Sequence, residues 1–205
     1  MDSSASTTGI ELLCSSSGTV GPRDCQINTM RSSVLEKFNS EYSLTIDMAD
    51  IEGLSVQEIY APTSICFGCG PSNEDGLRIR SFRTTDGLEM EFTPNESHQA
   101  FPGMINGGII GTLLDCHGNW TAAIALMDKA GDTEPPCTVT ASYSIKLRRP
   151  TPLGSTLIVK GEVTEIGDDR ANVKMSLSAD GEVCATGTGL FVAVKEGHPA
   201  FHRWN

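Results

Sequence analysis

From Asn106 to Lys129 the chain reads as one long apolar helix, and the only acid before its last turn is Asp115. Such a helix must be covered on most sides. A charge within it is unfavourable unless it has a partner or a task. The approach, His98-Gln-Ala-Phe-Pro-Gly-Met-Ile-Asn106-Gly107-Gly108, runs a Pro-Gly turn into two adjacent glycines. A helix N-terminus offers unpaired N–H donors and a partial positive charge, and glycine lets a foreign oxygen come close to the backbone. One stretch therefore holds a candidate oxyanion site and a candidate acid, base or nucleophile. Gly131 supplies the helix stop.

The flanks of this helix read as strands. Leu77, Ile79 and Phe82 lie in a strand-like run, and Thr85-Asp86-Gly87 is a hairpin signal. Leu88, Met90 and Phe92 alternate with Glu89, Glu91 and Thr93, which marks a half-buried strand. Four more strands are expected at about 137–148, 155–166, 170–179 and 182–194, joined by short turns rich in Gly and Asp. Short connections join antiparallel neighbours. The expected class is α+β, an antiparallel sheet wrapped around one long central helix. Residues 1–30 read as a flexible tail and 31–63 as a helical extension, with helices expected over 31–39 and 47–59. Residues 64–195 form the domain, and 196–205 a C-terminal tail.

At about 100° per residue, Ile109, Ile110, Leu113, Leu114, Trp120 and Ile124 face the sheet. Gly108, Gly111, Thr112, Asp115, Asn119 and Ala122 form a small, polar opposite side that another backbone could approach. Gly107 and Asp115 stand eight residues apart, about 12 Å along one helix, so one helix cannot bring both to the same carbon. Two antiparallel helices at a twofold axis would, and the site would then be shared between subunits of a homo-oligomer, a dimer or a dimer of dimers. His117 lies in the middle of the apolar face, either as a core histidine with satisfied hydrogen bonds or as a pocket-lining group.

The formal charge of −11 and pI near 4.7 argue against nucleic acid as a partner. No apolar run approaches the ~18 residues of a membrane span. The N-terminus lacks a secretory signal and fits a transit peptide poorly. Seven cysteines, an odd count, read as reduced thiols in a cytoplasmic protein.

Three segments carry a family resemblance. Gly103-Met-Ile-Asn106-Gly107-Gly108-Ile-Ile-Gly-Thr-Leu-Leu-Asp115 resembles the signature of PaaI-type hotdog-fold thioesterases, where His-Gly-Gly precedes a helical Asp or Glu at the same spacing. Thr140-Ala-Ser-Tyr-Ser-Ile-Lys-Leu-Arg-Arg-Pro150-Thr-Pro-Leu-Gly154 is similar to the family's strand and turn after the helix. Cys66-Phe-Gly-Cys69-Gly-Pro-Ser-Asn73-Glu-Asp-Gly-Leu77 is similar to the leading segment of one branch. The resemblance covers roughly residues 64–195. It implies hydrolysis of acyl-CoA or acyl-carrier-protein thioesters, with no cofactor beyond the coenzyme A of the substrate. By resemblance Asp115 is the base or nucleophile, the Gly107 and Gly108 amides hold the thioester oxygen, and Thr140 lies near the attacking water. The strand reads Thr138, Thr140, Ser142 and Ser144 along one face. The family's histidine before the glycines is Asn106 here, which can donate a hydrogen bond but cannot exchange a proton. A role needing imidazole is either absent or moved to His98 or His117.

Lys146, Arg148 and Arg149 concentrate positive charge in an acidic chain. They read as a phosphate-binding patch for coenzyme A or as a solvated strand end. Cys66 and Cys69 form a CxxC without a second one. Zinc normally needs four ligands, and Cys116, His98 and His117 could complete a set only by folding together. A tight turn with two packed thiols and no metal is the expectation. Two other functions compete with hydrolysis: a hotdog dehydratase acting on enoyl thioesters, and a non-catalytic acyl-CoA-binding protein.

Overall fold

The computed structural model describes residues 53–204. The expected tail over 1–30, the helix over 31–39 and the start of the segment 47–59 lie outside the described residues. Six strands form one antiparallel sheet in the order β1-β2-β6-β7-β8-β5. They are β1 (Phe82–Thr84), β2 (Gly87–Phe92), β5 (Thr138–Leu147), β6 (Leu157–Ile166), β7 (Arg170–Ala179) and β8 (Glu182–Ala193). A small hairpin of β3 (Gln99–Phe101) and β4 (Met104–Ile105) leads into the central helix, Gly107–Ala130. That helix lies against β2, β5, β6, β7 and β8. This is the hotdog arrangement, one antiparallel sheet wrapped around one long helix.

Local chemistry sets the helix bounds. Asn106 is the N-cap, and its side chain accepts the Gly108 N–H. Gly131 ends the helix in the left-handed conformation at φ 73°, its N–H bonding Asp128 and Met127 carbonyls. Within those bounds, Leu113, Leu114, Trp120, Ile124 and Met127 are buried. Two glycines bring helix and sheet together. A methyl at Gly118 would overlap Met175 Sδ and the Phe191 ring, and one at Gly161 would overlap Thr121 Oγ1.

Two elements differ from the sequence reading. The extension contributes a short helix, Val56–Tyr60, with a Ser55–Glu58 capping box. Val56 and Gln57 bury into the same core. The segment after β8, expected as a tail, folds back onto the central helix. Trp204 is buried and stacks on Trp120, ring centroids 4.4 Å apart. Asn119 and Ala122, on either side of Trp120 in the chain, are buried rather than open as helical spacing suggested. Among the described residues, no helix is long and apolar enough to cross a membrane.

His117 belongs to this core and not to a pocket. Its ring is fully buried, with Nε2–H donating to the Leu88 carbonyl at 3.1 Å. Nδ1 accepts from Ser81 Oγ at 2.9 Å, and Ser81 Oγ accepts from Gln57 Nε2 at 3.0 Å. With every polar atom partnered inside the core, a role in substrate binding is excluded by position. Burial holds this histidine neutral and lowers its pKa from 6.5 to about 4, against the pull of the Leu88 carbonyl and Glu89. The folded state therefore binds fewer protons than the unfolded chain between those values, and stability present above pH 6.5 is lost as pH falls toward 4. Urea midpoints should record a loss of up to roughly 3 kcal/mol from this group. The loss should shrink in His117→Gln; an unchanged pH dependence there would contradict the assignment.

Candidate active site

The N-terminal half of the central helix borders a cleft of about 310 Å³ lined by Gly107, Gly108, Gly111, Thr112, Asp115, Tyr143, Ile145 and Leu147. Gly107 is the first helical residue, so its N–H has no intrahelical acceptor. Gly108 is different. Its N–H donates to Asn106 Oδ1 at 2.7 Å. The two amides expected to act as a pair are thus divided: Gly108 is engaged by the cap and Gly107 is the donor left over. This engagement also gives Asn106 a role that histidine at the same place would fill less well, since Asn is among the strongest N-caps.

Asp115 sits half-buried in the same cleft, two turns further along. Thr140 Oγ1 donates to its Oδ1 at 2.7 Å. Burial raises the Asp115 pKa above its ordinary 3.8 and nearby Cys66 adds to this, while the Thr140 hydrogen bond and the Arg203 guanidinium pull it down. Arg203 comes from the closing segment, where its Nη1 donates to the Thr138 carbonyl at 3.0 Å. Its sequence position gave no signal of this, because the contact joins residues 65 apart in the chain.

β5 supplies the opposite wall, and here the strand differs from simple alternation. Thr138 and Thr140 both reach the helix, the former bonding Asn119 Oδ1 at 2.8 Å. A β-bulge between Thr140 and Ser142 then shifts the register. One extra residue exchanges the two faces of a strand. Beyond it Tyr143, Ile145 and Leu147 face the cleft, and Ser142 and Ser144 leave the hydroxyl row that sequence spacing implied.

The bulge also decides where the basic residues go. Lys146 lines a separate hollow with Ser144, Lys174, Thr186 and Thr188, on the sheet face away from Asp115. It is therefore not a wall of the cleft. Arg148 borders that hollow and a second cavity of about 380 Å³, shared with Arg149, Phe101, Met104, Ile110 and Gly107. Arg149 also pairs with Glu182. Arg148 and Arg149 thus meet the Gly107 end of the helix. His98 does not reach the cleft: its Nδ1 accepts the Asn95 N–H at 3.1 Å and its ring rests on Phe92. Its link to the site is through the backbone, where its carbonyl accepts the Asn106 N–H at 2.8 Å. Cys116 does join Cys66 and Cys69, with their sulfurs within 4.8 Å of one another, while both histidines stay outside the group.

The sequence profile of the thioesterase superfamily matches residues 102–185. No curated protein sequence matches the chain. Among solved structures, a thioesterase superfamily protein from Shewanella loihica PV-4 is 32% identical, covering 57% of this chain and 91% of that one, with a TM-score of 0.49. A second thioesterase superfamily protein is 20% identical, covering 85% of this chain and 81% of that one at a TM-score of 0.52, a likeness of fold. A hypothetical thioesterase from Streptococcus pneumoniae TIGR4, solved with coenzyme A, is 19% identical over 57% of this chain and 85% of that one, with a TM-score of 0.48. The profile match spans the Gly107–Asp115 helix and β5, the strand that walls its cleft, and the Shewanella relative, 32% identical, is spanned for nine-tenths of its length: this chain belongs to the thioesterase superfamily.

Proposed function

We propose that this protein hydrolyses acyl thioesters of coenzyme A or acyl-carrier protein, with Asp115 as general base or nucleophile. The observation that carries the proposal is the Thr140–Asp115 hydrogen bond in the cleft that Gly107 opens. It ties one carboxylate oxygen down and leaves Oδ2 to accept a proton from water or to add to the thioester carbon. As the carbonyl becomes tetrahedral, its oxygen takes on negative charge. The free Gly107 N–H at the positive end of a long helix suits that charge. Collapse of the intermediate expels the thiolate, which takes the proton from Asp115 on the general-base route; on the nucleophilic route it leaves an acyl–Asp115 anhydride that water then hydrolyses to the free acid. The acyl chain is assigned to the apolar wall of Tyr143, Ile145 and Leu147. Coenzyme phosphates are assigned to Arg148 and Arg149.

The distance along the helix gives the proposal its second part. Gly107 and Asp115 of one chain are still eight residues apart on one straight element. We assign the reacting centre to two chains, with Gly107 of one facing Asp115 of the other. β5 supports this. It is a ten-residue strand at the edge of the sheet, hydrogen-bonded to β8 on one side, and it exposes Tyr143 and Leu147 beside the cleft. A long edge of this kind is a template for pairing with a second copy.

The dehydratase reading wants imidazole beside the carboxylate. His117 is sealed in the core and His98 is turned to Asn95, so hydrolysis is the better supported reading.

Asp115→Asn keeps a hydrogen-bond partner for Thr140 but removes the base. Thiol release from a panel of acyl-CoAs should fall ~10²–10⁴-fold, and wild-type rates in this variant would remove Asp115 from the reaction. The pH profile tests Thr140 separately. The working form of Asp115 is ionised, so kcat/KM should rise with pH through a midpoint above 3.8. Thr140→Val deletes a hydrogen bond that favours the ionised form and should move that acid limb to higher pH. A limb that stays in place would mean that Thr140 does not act on the carboxylate.

A further inference from the structure

Three thiols that the proposed reaction does not use converge beside the central helix. Cys66 and Cys69 lie on the loop before Leu77, and Cys116 follows Asp115 on the helix. The three Sγ atoms lie within 4.8 Å of one another, with Cys66 and Cys116 4.0 Å apart. Gly68 makes this approach possible, because a methyl there would overlap Cys116 Sγ. The glycine between the two cysteines is what allows the loop to lie on the helix.

The loop is built around sulfur. Gly70 N–H bonds the Cys66 carbonyl at 2.8 Å and closes the turn, while Leu77 and Ile79 N–H groups anchor it through the Phe67 and Gly68 carbonyls. Cys69 and Cys116 are buried and Cys66 is half-buried, so the three thiols face one another with little access to water. Three thiolates in so buried a place need a cation.

We propose that Cys66, Cys69 and Cys116 form a three-sulfur site for a thiophilic d10 cation, zinc or copper(I), that ties the CxxC loop to the central helix next to Asp115. Zinc–thiolate bonds of about 2.3 Å put tetrahedrally arranged sulfurs about 3.8 Å apart, so a small contraction of the cluster suffices. Soft thiolates select both ions. Copper(I) is satisfied by three sulfurs. Zinc takes a fourth donor, such as water, from the side where Cys66 is half-exposed. This site stands whether or not the chain hydrolyses thioesters.

The test uses the full chain, reduced and freed of metal, with Cd²⁺, Zn²⁺ and Cu⁺ added separately. The expected result is about one ion bound per chain and, with Cd²⁺, a thiolate-to-metal charge-transfer band. Competition with chelators tells zinc from copper(I). Cys66→Ser, the half-exposed position, and Cys116→Ser should each weaken binding by more than the ~100-fold that loss of an outer partner costs, while Cys184→Ser should leave it unchanged. Because Cys116→Ser can disturb folding, alkylation of the wild-type chain gives an independent readout: metal should shield Cys66, Cys69 and Cys116 as a set. Absence of the band, a band retained in full by Cys66→Ser, or alkylation of these three unaffected by any of the metals would overturn the site.

Discussion

Covering one long, mostly apolar helix is the requirement from which the rest of this structure follows. Strands β2 and β5–β8 cover one side. The cysteine loop lies across the helix at Cys116, and Trp204 stacks on Trp120 from the closing segment. From Cys116 to Ile124 the covering is complete, and polar groups survive there only by pairing, as His117 does with Ser81 and Leu88 and Asn119 with Thr138. What these elements leave open is the stretch from Gly107 to Asp115. The site is therefore the uncovered end of the same helix whose burial holds the domain together.

That position explains the electrostatics. Asp115 stands at the border between open cleft and buried core, so it loses solvent without losing its charge entirely to the apolar interior. Thr140 and Arg203 oppose the desolvation, the first by a direct hydrogen bond and the second by its charge. With Asn106 engaged as the helix cap, Asp115 is, among the described residues, the one carboxylate, imidazole or thiol that lines the cleft. The proposed chemistry thus rests on one carboxylate and backbone dipoles, with no imidazole to share the proton.

Much of this was legible in the chain because it is written in local periodicity. The long helix shows its 3.6-residue repeat and its glycine stop, and the strands after it show alternation and short Gly/Asp turns. Family resemblance put Thr140 near the attacking water, while its bond to Asp115 emerged only with the fold. What stayed hidden depends on one inserted residue or on distant segments. A bulge near Ala141 reverses the faces of β5, and no local pattern announces it. Arg203 and Trp204 act from the far end of the chain, and Cys116 meets the CxxC only once Gly68 lies on the helix. The capping role of Asn106 was available from residue type alone, since Asn before paired glycines and an apolar run is an N-cap pattern.

The central claim is that Gly107 of one chain and Asp115 of another serve the same carbonyl. Gly107→Pro deletes the free N–H while keeping a residue suited to the first helical position, and Asn106 at φ −65°, ψ 134° already has the backbone that precedes proline. Each of Gly107→Pro and Asp115→Asn should be nearly inactive alone. Unfolded together and refolded as an equal mixture, they should form heterodimers with one intact site each and recover about a quarter of wild-type thioesterase activity. A mixture no more active than its two components would place both groups within one chain's site and contradict the account.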